Sequence, residues 1–87
     1  MALFAIVGVR PKPGLAEKVE NDFRGKYYKV ANNHWIVVGE GTAQSVSDGL
    51  GIRGGGLGSV LVYNFVGYYG FASTTLWEWL KNSGSDA

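Results

Sequence analysis

The chain has 87 residues, of which 46% are hydrophobic and 17% charged, with a formal net charge of +1. That length makes one domain near the lower limit of what folds alone, so self-association is a ready way to add buried area. The absence of cysteine excludes a disulfide framework and a thiolate metal site, the single histidine, His34, argues against a protein-only zinc site, and the balanced charge supplies no field to draw in nucleic acid or an anionic membrane.

Leu3 to Val9 is a nearly continuous apolar run without charge, which predicts a first strand, β1, covered on both faces or central in a sheet. The opening MALFAIVGVR is too short and lacks the leading positive charge of a signal peptide. No run reaches the roughly 20 apolar residues of a membrane span, so a cytoplasmic protein without membrane contact is expected. Pro11 and Pro13 close β1, and Pro13-Gly14 opens a helix, α1, in which Leu15, Val19 and Phe23 recur every four residues before Gly25. Lys26 to Ala31 and His34 to Val38 are β-rich runs joined by Asn32-Asn33, which predicts a hairpin of β2 and β3. Between Arg10 and Lys29 stand Arg10, Lys12, Lys18, Arg24, Lys26 and Lys29 against Glu17, Glu20 and Asp22, a mildly basic stretch best read as a solvated helix with its loops.

Thr42 is placed to cap a helix, α2, with Ala43, Val46 and Leu50 on one face and Gly51 as its stop. Residues 51–58, GIRGGGLG, hold five glycines in eight positions and predict a flexible connector, with Arg53 its only charge. The spelling GxGxxG runs from Gly49 to Gly54 into this segment, but it closes a helix where a dinucleotide fingerprint must open one. Gly39-Glu40-Gly41-Thr42 lies between a strand and a helix N-terminus; Glu40 and the lack of a following lysine count against a phosphate loop. Ser59 to Val66 predicts β4, with Leu61, Tyr63 and Phe65 on one face and Val60, Val62, Asn64 and Val66 on the other. After Gly67-Tyr68-Tyr69-Gly70, one of Ser73, Thr74 and Thr75 caps a last helix, α3, Thr75 and Glu78 having the capping-box spacing. Leu76, Trp77, Trp79 and Leu80 give it a wide apolar stripe. One tryptophan is expected to face the core and the other a partner, since they point about 200° apart.

The order βαββαβ plus a terminal helix predicts an α+β, ferredoxin-like sandwich with an additional C-terminal helix, one domain over residues 1–81 and a flexible tail over 82–87. Right-handed crossovers place β1 and β3 in the centre and β2 and β4 at the edges. Two helices then cover one face and leave the other open, and a long apolar edge strand such as β4 invites pairing. A homodimer or higher homo-oligomer is therefore expected, with Tyr63, Phe65, Trp77 and Trp79 as interface candidates.

The segment from Ser59 to Leu80 holds seven of the twelve aromatics. In GYYGFAS, Tyr68, Tyr69 and Phe71 are bracketed by glycines that permit a sharp turn presenting the rings to one another, to a partner or to a planar ligand. With Arg53, Arg10 and Asn64 they form the candidate ligand-binding set. His34 beside Trp35 has no acid, base or nucleophile at a recognised spacing, and neither a catalytic residue, a metal site nor a cofactor is expected.

Leu3 to Val9, HWIVV at 34–38 followed by Gly41-Thr42-Ala43, and Val60 to Phe65 resemble the small ferredoxin-like proteins of the Cas2-like and SinR-like groups. Tyr68-Tyr69-Gly70, Ser73-Thr74 and Trp77-Glu78-Trp79 are similar to small bacterial proteins with a YYG turn and a WEW helix. The first resemblance implies pairing as dimers and, in its nuclease members, an aspartate for metal at the end of β1. Here that position reads Gly8-Val9-Arg10, which argues against metal-dependent nuclease chemistry. The expected function is a non-catalytic, self-associating binding module that sequesters a nucleotide-like small ligand, of the kind a phage or mobile element uses in counter-defence. The alternative is a structural or regulatory protein-interaction subunit without a small-molecule ligand. Nucleic acid is not the favoured partner in either.

Overall fold

A computed structural model describes residues 2–65 and 74–84. It is a small α+β structure: β1 (Ala2–Pro11), α1 (Leu15–Asp22), β2 (Tyr27–Ala31), β3 (His34–Gly39), α2 (Ala43–Leu50), a short 3-10 turn (Ile52–Gly54), β4 (Gly58–Phe65) and α3 (Thr74–Gly84). The four strands form one antiparallel sheet in the order β2-β3-β1-β4, so β1 and β3 are central and β2 and β4 are edges, as expected. The polar stretch after Lys81 begins inside α3, which runs on to Gly84. Residues 85–87 lie outside the described residues.

β1 runs two residues past the expected Val9, because Arg10 still pairs with Ser59 and Pro11 with Gly58 beyond a bulge between Gly8 and Arg10. Proline costs nothing at the last position of a ladder, where no further donor is needed. Phe4 and Ile6 point to one face while Leu3 and Ala5 point to the other, and all four are buried. This explains why a central strand reads as a continuous apolar run and not as an alternation.

On the first face, Phe4, Ile6, Trp35 and Val37 meet Leu15 and Val19 of α1 and Val46 and Leu50 of α2. Trp35 is fully buried, and its Nε1–H donates to Glu20 Oε2 at 3.2 Å, which satisfies the indole's single donor from α1. Thr42 caps α2 as its position predicts: its hydroxyl accepts from the Ser45 N–H at 3.1 Å and Ser45 Oγ accepts from the Thr42 N–H at 2.9 Å. Gly51 ends the helix in the left-handed region at φ 76°. The following glycine-rich segment has a defined course where flexibility is expected, since Ile52 is buried in the first core and Leu57 packs against it. Two apolar anchors offset the ordering entropy of the intervening glycines.

The second face corrects the expected open surface. Leu76 and Leu80 of α3 are buried on Leu3, Ile36 and Val38, with Tyr28, Phe65, Trp77 and Trp79 packed around them. Both tryptophans belong to this cluster, so neither is held out alone toward solvent. At about 100° per residue, Trp77 and Trp79 fall about 80° to either side of the Leu76/Leu80 midline, and a helix lying on a sheet brings both shoulders down onto it. Trp79 meets the Tyr28 ring at 5.8 Å between centroids, tilted by 50°. Thr75 is the second residue of α3 and so does not stand at its cap position. Ser73 lies outside the described residues.

Candidate functional site

β4, GSVLVYNF, is a strand because β-branched and aromatic residues dominate it, and it contains neither a charge nor a proline. Its two faces divide as the alternation predicts. Val60 and Val62 pack against the first core, while Leu61, Tyr63 and Phe65 lie opposite Val7, Ala5 and Leu3 on the α3 side. Cover by α3 is graded along the strand. Phe65 packs under the helix, Tyr63 is 43% exposed and Leu61 54% exposed, and Val9 at the β1 bulge is 64% exposed. The Tyr63 and Phe65 rings stand 6.5 Å apart with a 54° tilt, so the aromatic surface continues from core to solvent.

Of the expected interface residues, Tyr63 is the exposed one; Phe65, Trp77 and Trp79 are engaged with the second core. Leu61 and Val9 were not singled out by sequence reasoning. The alternation did put Leu61 on Tyr63's face, but where α3 stops covering that face is set by tertiary packing.

Of the candidate ligand residues, Arg10 and Asn64 lie apart on the β1–β4 ladder. Arg10 pairs with Ser59 at one end of the β1–β4 ladder, while Asn64 lies opposite Phe4 near the other, six strand positions along β1. At roughly 3.3 Å per residue that is about 20 Å. Asn64 Nδ2 donates to the Leu3 carbonyl at 3.3 Å and so serves the sheet. Arg53 lies in the 3-10 turn, its side chain outside the description. Tyr68, Tyr69 and Phe71 lie outside the described residues.

A cavity of about 390 Å³ opens between the end of α1, the end of β3 and α2. Phe23, Val46 and Leu50 give it apolar walls, and Asp22 and Glu40 add carboxylates. Asp22 is paired with Lys18 at 3.2 Å. Two carboxylates disfavour a phosphate-bearing ligand here. Lys29 Nζ sits 5.8 Å from the Trp35 ring centroid. His34 begins β3, a central strand. Among the described residues no group of three His, Cys, Asp or Glu side chains could hold a metal ion, and no helix is long and apolar enough to cross a membrane.

Comparison with protein-family models, with curated proteins and with solved structures returned no match.

Proposed function

We propose that this protein is a non-catalytic, self-associating module of ferredoxin-like topology, acting as a protein-interaction subunit. The observation that carries this reading is β4: an uncharged edge strand of eight residues whose apolar face emerges from beneath α3 with Leu61 and Tyr63 in solvent. Edge strands that stay single are ordinarily blunted by charge, proline or brevity, and β4 has none of these. The strand order β2-β3-β1-β4 supports the ferredoxin-like assignment.

The reading of a module that sequesters a nucleotide-like ligand rests on the GYYGFAS aromatics and Arg53. The geometry favours the interaction subunit over it, because Arg10 and Asn64 stand far apart and the cavity carries carboxylates. Native mass spectrometry of freshly purified protein, before and after denaturation, tests both. A defined oligomer without additional mass, unchanged by added nucleotides, is the expected result. A co-purifying mass in the nucleotide range would replace this reading with the ligand-holding one, and a monomer at all concentrations would remove self-association.

A further inference from the structure

The direction of the backbone groups along β1 says which atoms of β4 are left over. Gly8 donates its N–H to the Asn33 carbonyl at 2.7 Å, on the β3 side. Backbone direction alternates along a strand, so Leu3, Ala5 and Val7 turn their N–H and C=O groups toward β4. Their register partners Phe65, Tyr63 and Leu61 turn theirs toward β1. Val60, Val62 and Asn64 therefore face outward. Gly58, of the same parity, agrees: its N–H goes to the Gly55 carbonyl at 3.2 Å and not to β1. No hydrogen bond to the outward backbone groups of Val60, Val62 or Asn64 is present among the described residues.

We propose that a second copy of this chain pairs with β4 in antiparallel register about a two-fold axis at Val62, joining two sheets into one; this rests on the self-association reading above. Val62 then exchanges both backbone bonds with its own counterpart, and Val60 does so with the partner copy's Asn64. The same register sets Leu61 directly across from the other copy's Tyr63, twice, in the closely spaced kind of antiparallel pair. The two large exposed apolar side chains of β4 cover each other, and no outward group of its middle is left unpaired.

Charge selects β4 over the other edge. Nothing from Gly58 to Phe65 is charged, so a two-fold axis sets no like charges opposite one another. β2 carries Lys29, follows Lys26 and is bulged between Lys29 and Ala31, so its self-pairing would oppose lysines across an irregular edge.

The chain has no cysteine, which makes engineered thiols specific reporters. Leu61→Cys and Tyr63→Cys are made separately in the full chain at exposed positions, mixed in equal amounts and oxidised mildly. The expected result is a disulfide-linked dimer in the mixture, at least about tenfold above either variant alone, because Leu61 and its own counterpart are diagonal neighbours roughly 7–8 Å apart. Leu61→Lys is expected to be monomeric at concentrations where the parent is dimeric, with an unchanged far-ultraviolet circular dichroism spectrum. A parent that is dimeric by native mass spectrometry but gives no such cross-link overturns this register while leaving self-association standing. Equal cross-linking of the single variants, or a dimeric Leu61→Lys, also overturns it. A parent monomeric at all concentrations overturns both readings.

Discussion

At Gly58 the chain runs tight against the backbone at the end of β1. A Cβ added there would collide with the Arg10 carbonyl oxygen, and would stand 2.8 Å from the Lys12 nitrogen and 3.0 Å from the Pro11 carbonyl carbon, at a φ of +85°. Backbone atoms cannot swing aside as a flexible side chain can. Gly58→Ala should therefore destabilise by about 2–4 kcal/mol, lowering the urea midpoint in chemical denaturation. Gly49 is the opposite case: it lies inside α2, and a Cβ there would have nothing within 4 Å. Gly49→Ala should raise stability by about 0.5–1 kcal/mol in the same titration, since alanine costs less helix entropy. Both glycines border the same glycine-rich run, and composition alone cannot rank them. What makes Gly58 obligatory is the backbone of Arg10 to Lys12, far away in the chain. Glycines required by distant backbone are invisible to local reading, whereas the Thr42 cap and the Gly51 stop were legible because their causes lie within a few residues.

At the level of elements, period and punctuation carried most of the information. The boundaries of β2, β3 and α2 fell within a residue of expectation because Asn32-Asn33, Thr42 and Gly51 mark them. Only Asn33 of the turn pair takes positive φ, at 61°, and a register shift between Lys29 and Ala31 accompanies it. α3 was legible as an amphipathic helix but its landing place was not. A terminal helix with a wide apolar stripe can cover its own sheet or a neighbour's, and nothing local distinguishes these. Its contact with Leu3, Ile36 and Val38 makes it part of the core, with Leu80 only 2% exposed. Leu80→Ala should cost about 2–5 kcal/mol and increase binding of a hydrophobic dye, measured by urea unfolding and dye fluorescence. A change within about 0.5 kcal/mol would mean that α3 does not rest on this sheet in solution.

For the whole molecule, the central position of β1 and β3 followed from chain order and crossover handedness, and the sheet agrees. Of the candidate ligand residues, the separation of Arg10 from Asn64 was not legible, since it depends on the β1–β4 register, which no single segment encodes. Self-association through an uncharged edge has its own signature. Raising sodium chloride from 50 to 500 mM should change the dimer dissociation constant by less than about threefold, because there are few charges at the contact to screen. Sedimentation equilibrium reads this directly; a much steeper weakening would point to an interface built on Arg24 and Lys26. The middle place of β1 also bears on biosynthesis. β1 is translated before the other strands, yet Ala5 acquires Ile36 as a neighbour only when the hairpin is complete, and Tyr63 later still. At roughly 5–20 residues per second, the most apolar strand waits for seconds without its last companion. That interval is when a nascent chain of this protein is most open to capture by a chaperone or by its sibling on the same messenger.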